Sequence, residues 1–72
     1  MERYLNLSRN YPVTHYQIND ESITVWFRGN PKPYTYPESK TGAYHLSQLK
    51  SRAKTGKGLS AYINQNVREK FI

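Results

Sequence analysis

Lys50, Arg52, Lys54 and Lys57 lie within eight residues of one another. The segment from Ser39 to Arg68 adds Lys40 and Arg68 and contains no carboxylate, so it carries the whole formal charge of +6. Before it, Arg3, Arg9, Arg28 and Lys32 balance Glu2, Asp20, Glu21 and Glu38. After it, Glu69 cancels Lys70. Such a run holds phosphates by releasing condensed counterions. It also serves as a solvated face or meets an acidic protein surface. Within it, Gly56-Lys57-Gly58, preceded by Thr55, can form an anion-binding loop: glycines let N–H groups converge, a following helix adds positive potential, and Lys57 supplies charge. It is not a Walker A loop, because Gly58 rather than Ser or Thr follows Lys57. The alternative is a helix–helix connection with a C-cap glycine.

Aromatic residues carry the second kind of chemistry. Tyr34 and Tyr36 fall on one face of an extended Tyr-Thr-Tyr segment, where two rings can stack bases or else roof the core. Trp26 alternates with Phe27, so an inward Phe27 sends Trp26 outward beside Arg28. That pair can stack a base or anchor a protein contact. Otherwise the N-terminal segment, with Tyr4, Leu5 and Leu7, folds over the indole.

Catalytic constellations are missing. His15 and His45 are the only histidines, far apart and without nearby cysteine or carboxylate, whereas a metal site needs three or four ligands. Asp20 and Glu21 are adjacent, so on a strand they face apart. No Ser-His-Asp or Cys-His arrangement is identifiable, and a chain of 72 residues leaves little volume for a walled pocket. We therefore expect a non-enzymatic protein without metal or cofactor. With no cysteine there is no disulfide framework. No stretch approaches the length needed to span a bilayer, and Met1-Glu2-Arg3 opens no apolar signal region. These observations predict a cytoplasmic protein with no membrane partner.

The elements that position these residues follow from periodicity. Aliphatic residues are few, but seven tyrosines, one tryptophan and two phenylalanines can bury large apolar bodies, so residues 1–72 should form one small domain with an aromatic-rich core. Met1 to Leu5 reads as a short strand and Ser8 to Pro12 as a loop. Val13 to Ile18 alternates, with His15 and Gln17 on one face and Tyr16 and Ile18 on the other. Asn19 to Ser22 is a turn, and Ile23 to Arg28 is the strongest strand, with Ile23, Val25 and Phe27 facing the core. Gly29 to Pro33 connects to a third strand, Tyr34 to Tyr36, which Pro37 ends. The period then changes to about 3.6. A helix capped by Ser39 or Thr41 runs to about Lys54, with Leu46, Leu49 and Ala53 inward and Gly42 allowing close approach. A second helix, capped by Ser60, runs from Leu59 to Phe71 with Leu59, Tyr62, Ile63 and Val67 as its stripe. The fold class is α+β: a three- to four-stranded antiparallel sheet followed by, and packed on, two C-terminal helices.

Ile23-Thr24-Val25-Trp26-Phe27-Arg28-Gly29, then Tyr34-Thr35-Tyr36, then Tyr62-Ile63-Asn64 with Val67 and Phe71, resembles the KTSC domain family. Its pattern is a strand ending in an aromatic and a glycine, a central YxY, a helix and a closing aromatic-Asn segment. That family occurs at the C-terminus of some lysyl-tRNA synthetases and as small stand-alone bacterial and phage proteins. The resemblance spans roughly Tyr16 to Phe71. It departs from the family pattern in the two prolines between Gly29 and Tyr34 and in a long link at Gly58-Leu59-Ser60-Ala61. For function it implies RNA binding only as a suggestion.

Together these observations predict a nucleic-acid-binding module, RNA more than DNA. Lys50, Arg52, Lys54, Lys57 and Arg68 would hold phosphates, with Trp26, Arg28, Tyr34 and Tyr36 available for stacking. Five such contacts on a single strand give a slope of log K against log salt of about −3.5. The competing class is a protein-interaction module, such as a small phage-type protein docking on a host factor through exposed aromatics.

Overall fold

The computed structural model describes residues 2–5 and 12–72. Four strands, β1 (Glu2–Arg3), β2 (Val13–Ile18), β3 (Ser22–Phe27) and β4 (Tyr34–Pro37), form an antiparallel sheet in the order β1-β2-β3-β4. Two helices, α1 (Glu38–Thr41) and α2 (Ala43–Thr55), follow. A short α3 (Leu59–Tyr62) then widens into a π-helical turn, Ile63–Val67. This is the α+β arrangement anticipated from the periodicity, with the N-terminal strand making the fourth member of the sheet. The loop expected over Ser8 to Pro12 lies, apart from Pro12, outside the described residues, as does Leu7.

Register fixes the two faces of the sheet. Ile18 pairs with Ile23 and Tyr16 with Val25, and across the next ladder Ile23 pairs with Tyr36 and Val25 with Tyr34. Directly paired residues share a face, so this set forms the inner one. A bulge between Val13 and His15 breaks strict alternation in β2. The extra residue lets Val13 face inward with Tyr16 and Ile18 while His15 turns outward with Gln17. Without it, Val13 would share the outer face with His15.

The inner face meets Leu46, Leu49 and Ala53 of α2, the stripe that helical spacing predicts, together with Leu59, Ile63 and Val67. Aromatic rings play a different part from the one expected. Among the described aromatic residues only Tyr4 and Tyr36 belong to the buried core, whose other members are aliphatic. Tyr16, Phe27, Tyr34, Tyr62 and Phe71 form a partly buried rim around it. A large ring at the rim removes much apolar area from water while leaving its hydroxyl solvated.

The helix termini depart from the expected caps. The backbone breaks between α1 and α2 at Gly42, whose φ of +86° only glycine adopts readily. A Cβ there would meet nothing within 4 Å, so conformation and not close approach requires the glycine. Neither Ser39 nor Thr41 caps α2; the Thr41 hydroxyl instead donates to the Pro37 carbonyl across one helical turn. Gly58, not Ser60, is the N-cap of α3, and Ser60 is buried inside the element. The second helix ends at Val67 rather than at Phe71. Freed from the helix, Phe71 packs its ring 4.7 Å from that of Tyr34 and 6.1 Å from that of Tyr36. The Ile72 N–H then donates to the Thr35 carbonyl on the open side of β4.

Candidate functional site

The late-chain cations fall on more than one surface. On α2, 100° per residue places Lys50 and Lys54 together beside the buried stripe and Arg52 on the opposite flank. Lys50 Nζ donates to the Asp20 carbonyl at 3.0 Å, tying the helix to the β2–β3 turn. Lys54 and Lys57 are exposed, and among the described residues neither has a carboxylate partner. Arg68 is exposed just after the π-helical turn, on the segment that leads to Phe71, and so belongs to a different element. Arg52 therefore does not share the Lys50–Lys54 flank, as helical spacing alone already indicates.

The Gly56-Lys57-Gly58 loop is a packing junction. Gly56, with φ +81°, ends α2 as a left-handed cap, and its N–H donates to the Arg52 carbonyl. A Cβ on Gly56 would lie 2.6 Å from Leu5 Cβ. The Leu59 N–H donates to the buried Tyr4 hydroxyl at 3.1 Å. Two of the donors that a phosphate cradle would need are thus already committed, and the C-cap alternative describes the geometry. Lys57 itself remains solvated.

Tyr36 is closed to a stacking base. It is 2 % exposed, and burial, with the Tyr34 phenol beside it, pushes its hydroxyl up to about 12. Tyr34 is half-buried between Phe27, at a ring distance of 5.5 Å, and Phe71, and its hydroxyl accepts from Asn30 Nδ2 at 3.1 Å. Both rings roof the core, for the reason that aliphatic residues are scarce.

The described helices pack on the inner face of the sheet, and among the described residues none crosses the outer face. There the register lines Arg3, His15 and Trp26 in one row and Gln17, Thr24 and Thr35 in the next. The hydroxyls of Thr24 and Thr35 lie 3.0 Å apart. Trp26 is half-buried on this face. Tyr4 and Leu5 do not fold over it: Tyr4 enters the core and Leu5 reaches Gly56 on the helical side. Arg28 is exposed beyond the end of β3, and with Arg3 and His15 it borders an open cleft of about 640 Å³. Another cleft, about 440 Å³, is bordered by Glu21 and Glu38 and has the wrong sign for a phosphate.

Sequence reasoning missed one cluster. On the Arg52 flank of α2, the ring of Tyr44, 70 % exposed, meets that of His45 at 5.6 Å. His45 meets Tyr62 of α3 at 5.7 Å, with Nδ1 and the Tyr62 hydroxyl 2.7 Å apart. The Arg52 guanidinium lies 4.6 Å from the centre of the Tyr62 ring, at a distance where a cation is attracted by the π face. Arg52 Nε is buried with no hydrogen-bond partner among the described residues. Loss of solvation raises the Tyr62 phenol above its ordinary range, Tyr44 adds to the shift, and Arg52 opposes it. The i, i+4 spacing of Tyr44, Gln48 and Arg52 was a signal, but a weak one without Tyr62 known to face it.

No group of three or more metal-ligating side chains occurs among the described residues. No helix among them is long and apolar enough to cross a membrane. Compared with family models, curated proteins and solved structures, the chain matches none.

Proposed function

We propose that the protein is a non-enzymatic module that binds single-stranded nucleic acid, RNA in preference to DNA, through the helical side of the domain. The observation that carries this reading is α2 itself, whose sequence holds no carboxylate, where Lys50 and Lys54 sit one turn apart and Lys57 follows the helix end. Phosphate contacts of this kind position a strand without reading its sequence. Membership of the KTSC family is part of the same proposal. What supports it is that some of the residues carrying the resemblance meet: Tyr34 and Tyr36 lie against Phe71, and Ile63 and Val67 are in the core.

The division of the cations changes the expected salt response. If Lys50, Lys54 and Lys57 alone touch a single strand, log K falls with log salt at a slope of about −2 instead of −3.5. Replacing Lys54 and Lys57 with Ala should make the slope shallower by about 1.4. Fluorescence anisotropy with a labelled oligonucleotide over a salt series measures both, and a flat response in the wild type removes the reading. Trp26→Ala serves as the arm for the competing class. Its half-buried indole on the helix-free sheet face favours a protein contact there. Loss of a co-purifying protein in Trp26→Ala, with oligonucleotide binding absent from the wild type, would replace a nucleic-acid module with a docking protein.

A further inference from the structure

We propose that the Tyr44–His45–Tyr62–Arg52 cluster is the base-contacting site of this protein, taking a nucleobase on the Tyr44 ring and a phosphate farther along the same strand on Arg52. The proposal rests on the nucleic-acid reading above and names where the strand would lie. The Tyr44 ring is 70 % exposed and so is open to a ligand. Tyr44 is not isolated: its ring is continuous through His45 with Tyr62, and the guanidinium lies on the far face of that chain of contacts.

Three properties suit the cluster to a single strand. The platform is already ordered, because the short contact between His45 Nδ1 and the Tyr62 hydroxyl holds two of its rings, so little side-chain freedom is lost on binding. No carboxylate occurs in the sequence from Ser39 to Arg68, which contains all four residues of the cluster. Eight helical residues separate Tyr44 from Arg52, a rise of about 12 Å, so a base on one and a phosphate on the other require an extended strand and not a stacked duplex. Aromatic faces accept any base, so binding should be tolerant of sequence.

The test uses fluorescein-labelled oligo-U and oligo-dT with the full chain. Tyr44→Ala should weaken binding by about 5- to 100-fold, and Tyr44→Phe should retain affinity, because the ring and not the hydroxyl makes the contact. Circular dichroism of both variants should match the wild type. The salt slope in Tyr44→Ala should stay at the wild-type value, since stacking releases no counterions, whereas Lys54→Ala should reduce it. Loss with either oligomer supports the site, and the comparison assigns the sugar. Should the wild type bind while Tyr44→Ala binds equally well, the cluster is not the base site and the parent reading survives. Absence of wild-type binding to both oligomers, with capture of poly-glutamate, overturns both in favour of an acidic protein surface.

Discussion

Replacing Gly56 with Ala tests whether the α2–α3 loop is a structural joint or an anion cradle. Gly56 and Gly29 have nearly the same φ, +81° and +78°. An alanine Cβ in the left-handed region costs about 1–2 kcal/mol, offset by about 0.4–1 kcal/mol from the stiffer unfolded chain. Gly29→Ala should show only that difference, since its Cβ meets nothing within 4 Å. At Gly56 the new Cβ lies 2.6 Å from Leu5 Cβ and 3.4 Å from Leu5 Cα. Those atoms are not the free end of a side chain, so the segment after β1 must move, at the cost of overpacking, about 1–3 kcal/mol. Gly56→Ala should therefore be less stable than Gly29→Ala by about 1–3 kcal/mol. Urea denaturation with a common slope measures the difference. Adding Leu5→Gly removes the colliding atom and should recover most of it. Equal midpoints for the two alanine variants, or no recovery in the double variant, would refute the packing argument. A phosphate cradle predicts the opposite pattern: loss of oligonucleotide affinity at unchanged stability.

Two further outcomes follow from buried phenols. Tyr4→Phe deletes the acceptor of the buried Leu59 N–H and should cost about 1–3 kcal/mol in the same assay; a change below about 0.5 kcal/mol would mean that the N–H finds another partner. Tyr36 titrates near 12 because burial disfavours its phenolate. With the folded value above the unfolded value of 10, its contribution is intact below pH 10 and is lost as pH rises toward 12. A phenolate absorbance titration of the folded protein should show Tyr36 titrating late, with Tyr62 also above the ordinary range, and a single common transition near the ordinary value would contradict the burial of Tyr36.

The fold was legible because the two hydrophobic periods are clean where the core is. Ile23 and Val25 on β3, and Leu46, Leu49 and Ala53 on α2, occupy the faces that alternation and helical spacing assign to them. Termini were less legible, since Ser, Thr and Gly all act as caps and the choice depends on backbone angles set by packing. Gly42 and Gly58 took the positions that Thr41 and Ser60 matched by type. The π-helical turn had no local signature. The Asn66 side chain donates to the Tyr62 carbonyl where the helix widens, and Phe71 leaves the helix to cover Tyr34 and Tyr36. That exit is a tertiary demand, invisible to a local window.

The site was harder to read than the fold because charge adds up along the sequence but acts across a surface. Lys50 and Lys54 are one helical turn apart and share a flank, whereas Arg52, between them in sequence, is half a turn from each. A linear count of cations therefore merges two environments with different physics. On the Lys50 flank, ammonium groups in high dielectric give a screened, salt-sensitive attraction. On the Arg52 flank, the guanidinium is fixed against Tyr62 with its Nε out of water, so its field is less screened and its position is set before any ligand arrives. The first suits capture of a polyanion from a distance, and the second suits holding one residue of it in register. A strand that crosses α2 from Lys54 to Tyr44 would engage both, so the lysines should govern mainly the association rate and Tyr44 the dissociation rate.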